Sequence, residues 1–140
     1  MNEQELRQAM SALEIFRAQL ESISENQQLI QMSLEELGRA RETLNQYQKA
    51  AEGDELLVPI GGNSFVFAKV ASNTKAIVGI GTGVSVEKPM EDAIKTMDDR
   101  AKELMDTMKK LTDRRMTLEE QANQLSQVVQ QEVAALQQRG

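Results

Sequence analysis

The side chains that could do chemistry in this sequence are carboxylates and hydroxyls, because the chain contains no Cys and no His. This excludes thiol nucleophiles, disulfides, thiolate or imidazole metal sites and the usual general base at neutral pH. The adjacent acidic pairs are Glu35-Glu36, Asp98-Asp99 and Glu119-Glu120. Neighbouring residues on a helix point roughly 100° apart, so neither carboxylate of a pair reaches an ion held by the other. We therefore expect solvated helix faces, no metal site and no enzyme.

The glycine-rich stretch Gly79-Ile80-Gly81-Thr82-Gly83 is the nearest match to a nucleotide-binding loop. A dinucleotide-binding fingerprint needs a sixth-position Gly and a helix directly after the turn. Val84 occupies that position, and Val84-Ser85-Val86 is typical of a strand. No Gly-Lys-Ser/Thr motif follows any glycine run, so a phosphate loop is absent as well. These glycines are expected to form a turn, and we expect no cofactor.

The charge balance also limits the possible partners. The 16 basic and 22 acidic residues give a net charge of −6, which is opposite in sign to the surface of a dedicated DNA binder. No apolar run approaches the roughly 20 residues that span a bilayer. Residues 1–10 lack the basic and apolar regions of a secretory signal. We expect a cytoplasmic protein that binds neither nucleic acid nor membrane.

The composition divides the chain into three segments. Residues 1–50 contain no Pro and one Gly, and residues 90–139 contain neither. Residues 51–89 hold both Pro residues and six of the eight Gly residues, with Val, Ile and Phe between them. Helix formers therefore flank strand and turn formers. The sequence predicts one unit over 1–140, with coiled-coil helices at 1–50 and 89–140 and two β-hairpins for assembly at 51–88.

Both helical segments carry apolar residues at alternating steps of three and four, which is the a/d seam of a coiled coil. An antiparallel register in which Leu13 faces Leu125 matches the two seams along their length. This register places the large side chain of Phe16 opposite the small one of Ala122. We therefore predict an intramolecular antiparallel pair of helices, with both chain termini at one end, here called the tip.

Two seam positions hold arginine instead of an apolar residue, namely Arg41 and Arg115. In the predicted register Arg41 faces Met97 and Arg115 faces Ile23, so neither has a carboxylate directly opposite. An unpaired buried guanidinium is costly. We expect these side chains to extend their charged ends to solvent or to fix the register.

The middle segment predicts four short strands at residues 55–60, 65–71, 75–80 and 84–88. Pro89 is expected outside both helices, just ahead of the second, where its fixed φ suits a first helical turn and its missing N–H costs nothing. The strands carry apolar residues on both faces. An isolated two-stranded hairpin is marginal in water, and exposed apolar edges pair with other chains. The strands therefore need one another or other subunits, and we favour an obligate oligomer. The predicted oligomerisation residues are Leu56, Val58, Ile60, Phe65, Phe67, Val70, Ile77, Val78, Ile80, Val84 and Val86.

Apolar residues beyond those of the seam occur near both termini. Residues 121–138 contain seven Gln and a single charged residue, Glu132. Such a weakly charged surface is suited to touching apolar segments of varied partners. The alternative is that Met10 and Val133 only widen the apolar stripe of the coiled coil. The predicted binding residues, here called the tip residues, are Leu6, Met10, Leu13, Ile15, Val128, Val129, Val133 and Leu136.

Essentially the whole chain resembles the prefoldin alpha subunits, in their archaeal form. The stretch Leu57-Val58-Pro59-Ile60-Gly61-Gly62, followed by residues 65–70, is similar to the first hairpin of that family. Residues 78–88 are similar to its second hairpin. The resemblance implies a mainly α fold, in which a long antiparallel two-helix coiled coil has two β-hairpins at its bend and the hairpins assemble into an oligomeric β-barrel.

The resemblance also implies a function. Prefoldin is an ATP-independent holdase chaperone in which two alpha subunits join four beta subunits. The tips of its coiled coils capture unfolded proteins and deliver them to a group II chaperonin in the cytosol. A second hypothesis is a coiled-coil scaffold or adaptor that binds one folded partner. That hypothesis explains the helices but gives no reason for surplus apolar residues at both termini.

Overall fold

The computed structural model describes residues 1–139. Its elements in chain order are α1 (Glu3–Lys49), β1 (Glu55–Gly61), β2 (Ser64–Lys69), β3 (Lys75–Gly81), β4 (Val84–Pro89) and α2 (Met90–Arg139). The strands form two separate antiparallel sheets, hairpin 1 from β1 and β2 and hairpin 2 from β3 and β4. The prediction of two long helices with two hairpins between them is confirmed, with strand bounds that differ by at most two residues.

Side-chain hydrogen bonds define both ends of α1. At its start, Glu5 N donates to Asn2 Oδ1 at 2.8 Å and Asn2 N donates to Glu5 Oε2 at 3.2 Å. This reciprocal capping box satisfies two amides that have no partner inside the helix. After its last turn, Asn73 Nδ2 donates to the carbonyl of Ala50 at 2.7 Å. The two ends of α1 are therefore set by local polar contacts as well as by helix propensity.

The chain divides into two compact units, and the first consists of Met1–Met32 and the described chain from Leu104 onward. Its buried cluster contains Ala9, Leu13 and Val129. Three partly buried apolar residues pack against this cluster: Leu6, Ala122 and Leu125. Contacts between residues near each terminus require antiparallel helices, and they follow the register in which Leu13 faces Leu125.

A polar layer interrupts the apolar seam of the first unit. Gln27 Nε2 donates to Thr112 Oγ1 at 3.0 Å, and Arg115 Nη1 donates to Gln27 Oε1 at 2.9 Å. Arg115 Nε lies 3.6 Å from Glu119 Oε1, yet it is buried and makes no hydrogen bond. We call Gln27, Thr112, Arg115 and Glu119 the polar layer. Arg115 is thus held by side chains of both helices instead of extending freely into solvent.

The second unit is Ser33–Glu103, and it contains both hairpins. Their registers are the same at positions twenty residues apart: Pro59 pairs with Phe65 as Gly79 pairs with Ser85. In both hairpins the register shifts before the last pair, which begins at Gly61 or at Gly81. The two hairpins are therefore an internal structural repeat.

The two turns are also equivalent, and both need positive φ at their central residues. Gly62 and Asn63 have φ of 58° and 57°, and Thr82 and Gly83 have φ of 51° and 75°. This is the type I′ pattern that matches the twist of two-residue hairpins and favours Asn and Gly. Thr82 is β-branched, so its left-handed backbone conformation is strained.

Hairpin 2 is tied to the first turns of α2. Met90 N donates to the carbonyl of Thr74 at 2.8 Å and Arg100 Nη2 donates to that of Gly79 at 2.5 Å. Val78 of β3 and Ala93 of α2 are almost fully buried. Pro89 ends β4 directly before α2, so it lies outside both helices as predicted. Its fixed φ is tolerated in an edge strand, and the Met90 amide continues the ladder directly into the helix.

An ion pair within the second unit gives Arg41 a partner that the predicted register did not identify. Its Nε lies 2.5 Å from Oδ1 of Asp98, one residue beyond Met97. The prediction considered only the residue directly opposite, whereas a long arginine side chain also reaches the next position. Both groups are about half exposed, so this pair contributes little to stability.

Candidate partner-binding surfaces

The structure divides the eight tip residues into two groups. Leu13 and Val129 are buried in the cluster of the first unit, and Leu6 packs against it. These three side chains pack between the helices, where Leu13 and Val129 are buried and Leu6 is partly buried. The exposed tip residues are Met10, Ile15, Val128, Val133 and Leu136. Their role in binding stays a prediction, which the structure narrows from eight residues to five.

An open groove in the first unit adds residues that sequence reasoning did not assign to binding. Its lining contains one of the exposed tip residues, Val128, and two uncharged glutamines. The other two, Phe16 and Leu125, were predicted only as seam residues. The mismatch in size between Phe16 and Ala122 was the available signal, because a large side chain opposite a small one need not be fully covered. The groove is lined by Phe16, Gln121, Gln124, Leu125 and Val128.

Exposed apolar side chains of the first unit are not confined to the tip. Leu29 is 62% exposed and Met32 is 65% exposed, compared with 59% for Ile15 and 51% for Met10. Met105 and Met116 are exposed to a similar degree. All four residues lie off the seam, and none of them was predicted to bind a partner. Exposure alone therefore does not identify a binding surface, and these residues are suitable controls.

In the second unit, hairpin 1 has one strongly apolar open face. Leu57 pairs with Phe67 and Pro59 pairs with Phe65, so these four side chains share one side of the ribbon. We call them the outer face of hairpin 1. Phe67 is 85% exposed, and Leu57 and Phe65 are more than half exposed. Large exposed apolar clusters are typical of interaction surfaces, and the role of this one in assembly stays a prediction.

The equivalent face of hairpin 2 is more polar. Ile77 is 77% exposed, but it shares its face with Gly79, Ser85 and Glu87. Although the backbones of the two hairpins repeat, their outer faces differ in chemistry. The apolar surface in this unit therefore belongs mainly to hairpin 1.

The predicted oligomerisation residues also divide by burial. Val70 and Val78 are buried within the chain itself, and Leu56 and Val86 are partly buried. Ile60 and Ile80 lie at the register shifts, where the regular alternation of faces is interrupted. The exposed members are Val58, Ile60, Phe65, Phe67, Ile77, Ile80 and Val84.

Two further features concern residues 1–139, namely metal sites and membrane-spanning helices. No group of three or more acidic side chains in this range is placed to hold a metal ion. Within the same residues, no helix combines the length and the apolar character needed to cross a membrane.

Comparison with known proteins reveals similar sequences among archaeal proteins. The family model for the prefoldin subunit matches residues 16–135. A prefoldin subunit alpha from Methanothrix thermoacetophila is 43% identical over 93 residues, which cover 66% of this chain and 61% of that protein. One from Methanopyrus kandleri is 39% identical over 99 residues, covering 68% and 63%. The chain therefore spans less than two thirds of the length of these relatives.

Solved structures with a similar fold come from the same group of proteins. A filamentous PFD from Methanocaldococcus jannaschii has a TM-score of 0.59 at 26% identity, covering 92% of this chain and 98% of that one. The prefoldin beta subunit from Thermococcus strain KS-1 has a TM-score of 0.60 and covers 91% of each chain, but its 15% identity bears on the fold alone. The family match includes both hairpins and most of both helices, and the chain therefore belongs to the prefoldin family.

Proposed function

We propose that this chain is the alpha-type subunit of an ATP-independent holdase chaperone. The observation that carries the proposal is the family match over residues 16–135, a region that contains both hairpins and the groove beside Phe16. Holding an unfolded protein requires exposed apolar surface and no bond-breaking chemistry. The proposed activity therefore needs no nucleophile, metal or cofactor.

Assembly is assigned to the hairpins. The outer face of hairpin 1 exposes Leu57, Phe65 and Phe67 side by side, so its burial against other subunits is favoured. The family resemblance implies that two such chains join four beta-type subunits and that their strands form a β-barrel. Relatives that match this chain are named as alpha subunits, which supports the alpha-type role.

Capture of unfolded proteins is assigned to the five exposed tip residues and to the adjoining groove. Two glutamines and two partly covered apolar residues line the groove around Val128. Apolar contacts among uncharged polar side chains favour partners with exposed apolar segments and no fixed shape. We propose that clients held in this way pass to a group II chaperonin in the cytoplasm.

Aggregation of a chemically unfolded protein, followed by light scattering, tests the proposal. The chain is first assembled with a beta-type subunit of an archaeal prefoldin, and several unrelated clients are used in turn. We expect the assembled complex to lower the scattering of all of them without ATP. Unchanged scattering for every client would contradict a holdase. Binding to a single native protein would support a scaffold or adaptor instead.

A further inference from the structure

The residues beside the seam of the first unit lie on two different sides of the paired helices. In a heptad, each residue directly before a seam residue lies on one side, and each residue directly after a seam residue lies on the other. Phe16 shares a groove with residues that directly precede seam residues, among them Gln124. Arg17 shares a second groove with residues that directly follow seam residues, among them Asn123. Each side is therefore common to both helices.

The two sides differ in charge near the tip. Between positions 8 and 22 of α1 and between positions 117 and 135 of α2, every residue directly before a seam residue is uncharged. We call this the uncharged side, and its central residues are Ala12, Ile15, Gln19, Gln121, Gln124 and Val128. The opposite side, here called the charged side, contains Arg7, Glu14, Arg17, Glu21 and Glu119. The two sides of the paired helices are therefore suited to different partners.

The uncharged side exposes apolar and amide groups next to each other. Ile15 and Val128 are exposed, and so are Gln121 and Gln124. Within residues 1–139, the side chains of these two glutamines bond to no other residue. A glutamine amide both donates and accepts hydrogen bonds. Hydrogen-bonding groups are thus available directly beside an apolar groove.

An extended segment of an unfolded protein fits this combination. Such a segment exposes apolar side chains together with main-chain N–H and C=O groups, which a folded protein has already paired. The apolar side chains bury in the groove, and the glutamine amides pair with the main chain. Charged side chains at the same positions would be desolvated by the bound segment, which costs free energy unless each charge is paired. The uncharged side therefore favours a bound chain whose sequence varies from client to client.

We propose that the tip holds unfolded clients only on the uncharged side, as extended segments whose apolar side chains contact Ile15 and Val128. The main chain of the segment pairs with the amide of Gln124. This inference rests on the holdase function proposed above and narrows the client surface within the tip. Met10 and Val133 directly follow seam residues and lie on the charged side, so they contact no client.

Adjacent positions on the two sides supply a matched pair of substitutions. Gln124→Glu places one carboxylate on the uncharged side, and Asn123→Glu places one on the charged side. Both residues are exposed, and each has a glutamate four residues earlier, so the cost of like charges within the helix is the same. The chain is assembled with a beta-type subunit, and affinity for a permanently unfolded client is measured by fluorescence anisotropy. Far-UV circular dichroism verifies that both variants keep their helices.

We expect Gln124→Glu to lower client affinity at least about fivefold, because the bound segment desolvates the new charge. Gln124→Lys is expected to lower it as well, since desolvation penalises a charge of either sign. Asn123→Glu is expected to leave client affinity within about twofold of that of the unchanged complex.

A modified peptide tests the contact between Gln124 and the main chain of the client. An unstructured peptide rich in Leu and Val is compared with the same peptide methylated at alternate main-chain nitrogens, which removes N–H donors and keeps the side chains. We expect methylation to weaken binding to the unchanged complex about threefold. The loss should become smaller with Gln124→Ala, because a double-mutant cycle cancels effects of methylation that do not involve this residue. Equal losses in both complexes would overturn the main-chain contact.

Three further outcomes would contradict the inference or its basis. Equal affinities for Gln124→Glu and Asn123→Glu would overturn the restriction to one side and leave the holdase function in place. A gain with Gln124→Lys and a loss with Gln124→Glu would show that charge attracts the clients, which would also overturn it. No binding of any client by the unchanged complex would contradict the proposed function itself.

Discussion

At the scale of single residues, Thr82 holds a backbone conformation that disfavours its own side chain. Its φ of 51° is at the first central position of a type I′ turn, where Asn or Gly is preferred. We expect Thr82→Asn to stabilise hairpin 2 by about 1 kcal/mol, because the strain at this residue is relieved. The change is measured by hydrogen exchange of the amides of Val78 and Val86, which pair with each other across hairpin 2.

The internal repeat supplies the matched control for this substitution. Gly62 is the equivalent residue in hairpin 1, with φ of 58°. Gly62→Thr introduces the strain that Thr82 already carries. We therefore expect faster hydrogen exchange of the amides of Val58 and Val66, which pair with each other across hairpin 1. If both substitutions change exchange in the same direction, the explanation by backbone strain is wrong.

A second residue-scale prediction concerns the exposed tip residues. Replacing Ile15 and Val128 together with Gln removes two apolar side chains from the proposed client surface. Each is expected to contribute roughly 1 kcal/mol to client binding, so client affinity falls at least about tenfold. Affinity for a permanently unfolded client, measured by fluorescence anisotropy with the assembled complex, tests this expectation.

Leu29 and Met32 provide the control, because they are at least as exposed as Ile15 but lie outside the tip. Their joint replacement with Gln is expected to leave client affinity within about twofold of the original. An equal loss from both double variants would show that clients bind along the helices without preference for the tip.

At the scale of elements, the polar layer interrupts an otherwise apolar seam. Gln27→Leu alone removes the acceptor for Arg115 Nη1 and leaves a partly buried guanidinium with one hydrogen bond fewer. We expect this single change to cost about 1–3 kcal/mol. Adding Arg115→Leu removes the unpaired group, and the double variant is expected to unfold at or above the original temperature.

Thermal unfolding followed by far-UV circular dichroism measures this non-additivity. Gln28→Leu is the control, since Gln28 is exposed and adjacent to Gln27. It should shift stability by no more than about 0.5 kcal/mol. A double variant less stable than Gln27→Leu alone would mean that the polar layer stabilises the helices instead of only fixing their register.

The elements were largely predictable from sequence, whereas their long-range contacts were not. The three–four spacing, the absence of Pro and the presence of a single Gly, Gly38, suffice for predicting the two helices and the pairing of Leu13 with Leu125. Both faces of the predicted strands are apolar, so periodicity could not tell which of Val78 and Ile77 would be covered. The position of Pro89 just ahead of the second helix was predictable, whereas no local pattern encodes the hydrogen bond from the Met90 amide to the Thr74 carbonyl.

The candidate site was predictable only in part. The excess of apolar residues over seam positions identified Met10, Ile15 and Val133, all of which are exposed. The predicted tip residues also included Leu13 and Val129, which are buried. Spacing alone does not show whether a seam residue near a helix end is buried or exposed. The groove beside Phe16 depends on how a large side chain packs against a small one, and the spacing of residues in the sequence does not determine that packing.

At the scale of the whole molecule, assembly and client holding are expected to reside in different parts of the chain. Removing residues 1–12 and 128–140 deletes every exposed tip residue except Ile15 and leaves both hairpins unchanged. We expect client holding to be lost and the complex with beta-type subunits to form with the same stoichiometry. Light scattering and native mass spectrometry provide the two measurements. Loss of the complex would contradict the assignment of client binding to the tip residues.

The state of the isolated chain is a further whole-molecule prediction. Because the outer face of hairpin 1 is exposed, the chain alone is expected to self-associate or to be poorly soluble. Co-expression with a beta-type subunit should convert it to a single defined mass. A well-behaved monomer that ignores every beta-type subunit would be the contrary result.

The repeat of the two hairpins makes the chain modular at the level of genetic engineering. Ile60 and Ile80 occupy equivalent places just before equivalent turns. Deleting residues 61–80 would therefore join Ile60 of β1 to Gly81, so that β1 leads into the second turn and then into β4. The turn and the register shift before it would stay the same. Such a shortened polypeptide would carry a single chimeric ribbon between its helices, and duplicating the same cassette would lengthen the series by one ribbon at a time.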